Sequence, residues 1–121
     1  MGDLATWRGS TGNPYQYWVL PIETKFEAVD GNYIFAKRND AGGWDAVYIG
    51  QGEFSTRAEV GRHHKGQFIL AKGATHVHVR QNPSLTDRML EWADILDGHP
   101  EALEPTGCNG SAITADEGLF A

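Results

Sequence analysis

Residues 31–57 read Gly31-Asn32-Tyr33-Ile34-Phe35-Ala36-Lys37-Arg38-Asn39-Asp40-Ala41-Gly42-Gly43-Trp44-Asp45-Ala46-Val47-Tyr48-Ile49-Gly50-Gln51-Gly52-Glu53-Phe54-Ser55-Thr56-Arg57. Two apolar runs, 33–36 and 46–49, are rich in aromatic and β-branched residues, which suit a pleated, half-buried surface. Between them, residues 39–43 supply the Asn, Asp and Gly that a chain reversal needs. The stretch predicts a β-hairpin over roughly 32–38 and 44–50, with one tyrosine near the start of the first strand and another near the end of its partner.

Upstream, residues 1–14 lack an apolar period and predict an irregular lead-in anchored by Trp7. Residues 15–20 form a strand candidate that Pro21 stops. Downstream, Thr56 and Glu59 have capping-box spacing and predict a helix starting near Arg57. Gly61 or Gly66 should interrupt that helix. Thr75-His76-Val77-His78-Val79-Arg80 alternates, placing valines on one face of a strand and histidines on the other. Ser84 with Asp87 marks a second helix start. Leu85, Met89, Trp92, Ala93 and Leu96 then follow helical spacing and predict its buried stripe. The order of elements predicts an α+β fold with a small, mainly antiparallel sheet flanked by helices. It has a three-stranded core and one extra N-terminal strand.

At 121 residues the chain suits one domain. It divides into an N-terminal extension (1–30), a central domain (31–103) and an acidic, loosely ordered tail (104–121) in which Leu119 and Phe120 dock. No apolar run approaches the roughly 18 residues of a membrane span. The first residues have no basic start followed by an apolar stretch, so no signal peptide is expected. A single cysteine, Cys108, forms no internal disulfide and points to a reducing, cytoplasmic setting. The net charge of −6 argues against nucleic acid, but its distribution is uneven. Residues 31–90 hold eight Lys or Arg against five Asp or Glu, whereas residues 91–121 hold seven acids and no Lys or Arg. A locally basic middle for phosphates, tuned by an acidic end, is one reading; a solvated acidic tail is the other.

Gly31-Asn32-Tyr33, Tyr48-Ile49-Gly50, Arg57, and Glu91 ahead of Pro100 together resemble the GIY-YIG nuclease superfamily. The resemblance covers about residues 31–103. It implies a three-stranded antiparallel sheet with flanking helices and metal-dependent endonuclease activity on nucleic acid, DNA rather than RNA. In that likeness Tyr33 and Tyr48 orient or deprotonate the attacking water, Arg57 steadies the phosphate, and Glu91 holds Mg²⁺ or Mn²⁺. His63 and His64 join them as phosphate contacts or proton donors. In-line attack on phosphorus needs these elements: a positioned water, a cation opposite the developing charge, and a hard oxygen ligand.

The chain departs from the family's pattern in several places. Asn32 replaces an aliphatic residue, Arg57 follows Gly50 by seven residues, and Leu103 and Glu104 stand where an asparagine usually follows the proline. These departures, with the acidic end, support an alternative: an inactive module of the same fold that binds nucleic acid or a protein partner supplying specificity. A third reading is a zinc-type site built on His76 and His78, about 7 Å apart on one strand face, completed by His63 or His64. Trp44, Phe54 and Trp92 are expected in the core rather than as stacking platforms.

Overall fold

The computed structural model describes residues 3–110. The strands are β1 (Asp3–Arg8), β2 (Pro14–Pro21), β3 (Asp30–Arg38), β4 (Trp44–Glu53) and β5 (His76–Gln81). The helices are α1 (Phe54–Arg57), α2 (Gly66–Ala71) and α3 (Leu85–Gly98), followed by a 3₁₀ turn at Pro100–Ala102. All five strands join one antiparallel sheet in the order β1-β2-β5-β3-β4. The α+β class agrees with the sequence reading; the sheet has five strands rather than three with one addition. No helix among the described residues is long and apolar enough to cross a membrane.

The hairpin forms as expected, and Asn39 shapes its turn by accepting hydrogen bonds from the Ala41 and Gly43 amides. The strand at 3–8 is the element the sequence hid. Its alternation is inverted: Leu4 points outward and is 53% exposed, while Asp3, Ala5 and Trp7 share the opposite side. Only Trp7 contributes real burial, so no apolar period was visible.

Successive residues of a strand face opposite sides, and the sheet sorts its side chains accordingly. On one side, the α1–α2 face, Tyr33, Phe35, Tyr48, Val77 and Val79 pack beneath Phe54 of α1 and Ile69 of α2. On the other, the α3 face, Tyr17, Ile34, Ala36, Ile49 and Trp7 pack against Trp92, Ile95 and Leu96 of α3.

Four local expectations are corrected. α1 ends at Arg57 instead of starting there: its N-cap is Glu53, whose carboxylate accepts from the Ser55 amide at 2.6 Å. Glu59 does not close a capping box, because its carboxylate accepts the Phe26 amide at 2.9 Å and faces Lys25. In α3 the buried stripe is rotated: Leu85 is 52% exposed, whereas Arg88 and Glu91 are inside. The segment expected to be loose from residue 104 stays packed through Asn109, with the Cys108 amide on the Val47 carbonyl. Leu119 and Phe120 lie outside the described residues.

Candidate functional site

Tyr33 sits in the middle of the sheet and is fully buried. Its partner across the ladder is Gly50. A Cβ there would stand 2.4 Å from the Tyr33 Cζ, so glycine is what lets the phenol lie flat across β4. Tyr48 lies nearly parallel to it, with ring centroids 6.3 Å apart. His63, in the segment between α1 and α2, caps both rings: its Nε2 is 3.0 Å from the Tyr33 hydroxyl and its ring centroid 4.6 Å from that of Tyr48.

The tautomer of His63 follows from its other nitrogen. Nδ1 accepts the Lys65 backbone N–H at 3.0 Å, so a neutral ring carries its proton on Nε2 and donates it to the Tyr33 oxygen. Burial, then the positive charges of His64, Arg57 and Lys65, push the His63 pKa down to about 3. The ring is therefore neutral at pH 7. His64 stacks on its outer side at 4.6 Å.

Arg57 reaches this place across Gly52. The glycine has φ +139°, and a Cβ there would stand 2.4 Å from the Arg57 Cδ. Thr56, Arg57, Arg62, His63 and His64 line a depression of about 210 Å³. Beside it, Lys65 lies over the Tyr48 ring and donates to the Cys108 carbonyl at 2.8 Å. The structure thus brings Tyr33, Tyr48, Arg57, His63 and His64 together, with two guanidinium groups and two imidazoles around one shallow opening.

Glu91 is not among them. Tyr33 and its neighbour Asn32 point to opposite faces, and Glu91 belongs to the side of Asn32. Asn82 donates both to the Asn32 side-chain oxygen (3.1 Å) and to Glu91 Oε1 (3.3 Å). Arg80 donates to the same Oε1 at 3.0 Å, and the buried Tyr17 hydroxyl donates to Oε2 at 2.5 Å. The carboxylate is 4% exposed. Burial raises its pKa, and the donors from Tyr17, Arg80 and Asn82 only partly oppose that. Both oxygens are committed within the chain, and the sheet lies between them and Tyr33. Mg²⁺ or Mn²⁺ held by Glu91 beside the tyrosines does not fit this arrangement.

His76 and His78 do share the α3 face of β5, as the alternation predicts. His78 is fully buried and accepts the Trp7 indole N–H on Nδ1 at 2.9 Å. His76 packs against Trp44, with ring centroids 4.9 Å apart. His63 and His64 are on the other side of the sheet, and no group of three His, Cys, Asp or Glu among the described residues is placed to hold a metal ion.

Several residues that organise this region carried no sequence signal. Arg88 donates to the Gln51 side chain at 3.0 Å and to the Asn82 and Pro83 carbonyls, clamping α3 to the sheet. Asn109 grips both backbone groups of Ile49, accepting its N–H at 2.8 Å and donating to its C=O at 2.9 Å. Comparisons with protein-family models, with curated proteins and with solved structures return no match for the chain.

Proposed function

We propose that the chain is a GIY-YIG-like module that binds nucleic acid through phosphate contacts in the Arg57–His64 depression and does not cleave it. The observation that carries this reading is the commitment of Glu91 to Tyr17, Arg80 and Asn82 on the opposite face. The fold likeness is supported by the sequence of hairpin, α1, α2, β5 and α3, with β3 between β4 and β5. Arg57 and Arg62 supply charge with planar donors, the geometry that suits phosphate oxygens.

The test is fluorescence anisotropy with labelled single-stranded, duplex and branched DNA, run beside a cleavage assay with Mg²⁺ and Mn²⁺. Wild type binds without cleaving. Arg57→Ala binds more weakly and shows a shallower salt dependence, by about 0.7–0.9 in the log–log slope for each phosphate that is no longer neutralised. Metal-dependent cleavage by a clean preparation, abolished in Arg57→Ala, refutes the proposal.

A second reading, phosphodiester cleavage in the same depression, is favoured by the hydrogen bond between Tyr33 and His63. A donor aimed at the phenol oxygen stabilises its deprotonated form, which a tyrosine base with an ordinary pKa of about 10 requires. Cleavage lost in Tyr33→Phe but kept in Glu91→Gln would establish it.

A further inference from the structure

The two edges of the sheet are finished differently. β4, at one edge, is covered by the chain's own residues 101–109. The Cys108 amide donates to the Val47 carbonyl, Asn109 holds both backbone groups of Ile49, and Glu101 accepts the Ala46 amide. β1, at the other edge, pairs with β2 alone. Among the described residues only its Arg8 carbonyl, held by His99, has a backbone partner outside that ladder. An edge strand presents every other N–H and C=O to whatever lies beside it.

β1 lacks the features that ordinarily keep an open edge from another strand. It has no proline and no lysine, and its register with β2 runs without a bulge from Asp3 to Arg8. Its two charges stand at its ends, so residues 4–7 are uncharged. Its outward side is bare: Leu4 and its cross-strand neighbour Trp18 are 53% and 47% exposed, and Thr6 and Arg8 continue the same exposed row. The inward side is pinned, with Trp7 packed against α3 and its indole N–H on His78, so the strand is held before a partner arrives.

The distribution of charge selects the strand that fits. An antiparallel copy of β1 brings the Asp3 end of each strand to the Arg8 end of the other, at both ends of the ladder. A parallel copy would set like charges side by side. A twofold axis normal to the sheet keeps outward residues outward. Centred on Thr6, it pairs Thr6 with Thr6, Ala5 with Trp7 and Leu4 with Arg8 of the second copy. The aliphatic stem of Arg8 then covers Leu4 beside Trp18. Because β4 is covered, this isologous pairing closes at two copies.

We propose that β1 is a dimerisation edge, pairing antiparallel about Thr6 with β1 of a second copy of this chain, with Leu4 and Trp18 at the seam. The pairing does not draw on the phosphate depression, which lies beside the Tyr33–His63 pair. A ladder of six residues is about 20 Å long. That is small beside the roughly 1,600 Å² of a standard interface, so the dimer should form with a Kd of about 10–100 µM.

Sedimentation velocity from about 5 to about 500 µM reads the assembly, and hydrogen exchange at the two limits reads β1. Wild type should pass from monomer to dimer, and every other β1 amide should exchange more slowly at the higher concentration. Leu4→Lys and Trp18→Thr, both at exposed positions, should each raise the dimer Kd by about tenfold or more. Thr6→Cys should form a disulfide-linked dimer on oxidation, while Leu4→Cys, about 14 Å from its counterpart, should not. Cys108 is 4% exposed and stays out of that reaction. A monomer at every concentration with unchanged β1 exchange overturns the proposal, and so does a dimer that both substitutions leave intact. β1 amides that slow only when an alternating valine–threonine peptide is added assign the edge to a foreign strand and likewise overturn the second copy.

Discussion

Acidification from pH 7 to pH 5 should destabilise this protein through two histidines. His63 is 7% exposed and His78 is 0% exposed. Both have their pKa pushed down to about 3, chiefly by burial. The charges of His64, Arg57 and Lys65 add to this for His63, and those of His76 and Arg38 for His78. In the unfolded chain each titrates near 6.5. Below that value the unfolded state binds more protons than the folded state, so stability rises with pH. The contribution of each ring is fully present above pH 6.5 and is lost as pH falls from 6.5 towards 3. Between pH 7 and pH 5 the loss works out at about 2 kcal/mol per histidine, about 4 kcal/mol together.

His99 and Glu91 oppose part of that loss. The His99 pKa is raised, chiefly by its hydrogen bond to Glu101. Its contribution is present below pH 6.5 and is lost as pH rises through its folded value. Glu91, raised by burial, likewise favours the folded state more as pH falls. Urea unfolding followed by tryptophan fluorescence at stepped pH measures the net effect. With a slope of about 2 kcal/mol per molar urea, the midpoint should fall by about 1–2 M between pH 7 and pH 5. His78→Gln and His63→Gln should each remove about half of that dependence. A midpoint unchanged or higher at pH 5 would refute the account of both rings.

Two further substitutions read the faces of the sheet separately. Glu91→Ala deprives the buried Tyr17 hydroxyl and Asn82 amide of their acceptor and should cost about 3–5 kcal/mol by urea unfolding. Glu91→Gln, which keeps an acceptor, should cost much less; an Ala variant as stable as wild type would mean that the network carries no stability. Gly50→Ala forces a methyl group to within 2.4 Å of the Tyr33 ring carbon. It should cost about 1–3 kcal/mol by overpacking and displace the His63 ring resonances; an unperturbed His63 spectrum would contradict the placement of Tyr33.

The hairpin, β5 and the position of α3 were legible because each rests on a local signal. These signals were aromatic and β-branched runs around a turn, strict alternation, and a Ser–Asp cap. β1 was not legible because its inward residues include Asp3 and Ala5 and its outward ones include Leu4. Pairing with β2 and the single anchor of Trp7 override the missing pattern. The site was half legible. Tyr33, Tyr48, Arg57 and His63 do gather, but Glu91, put with them by the resemblance and left off the expected apolar stripe of α3, lies inside on the opposite face. The real stripe of α3 includes Arg88 and Glu91, because partners distant in sequence (Gln51, Asn82, Tyr17 and Arg80) satisfy their polar groups. Spacing along one helix cannot report those partners.

The period of two in β3 and β4 explains why the same short stretch serves two purposes. In Tyr48-Ile49-Gly50 the first residue packs against Tyr33 and His63 on the α1–α2 face, and the second sends its side chain to the α3 core. The third leaves the space that Tyr33 fills. Ile49 also gives its backbone to Asn109, and its carbonyl to the Trp92 indole at 3.1 Å. The tripeptide is therefore fixed by packing on one side of the sheet while on the other it supports the Tyr33–His63 pair. Its tyrosines alone say little about chemistry, since both are buried strand aromatics that the core needs in any case. The proposed phosphate binding turns on the groups that approach them from the loop side. Arg57 arrives because Gly52 lets its stem cross β4, and His63 holds Tyr33 by a proton that Lys65 fixes on Nε2. Substitutions at Arg57 should thus change binding while leaving the fold intact, whereas substitutions at Glu91 should change the fold first and binding only through it.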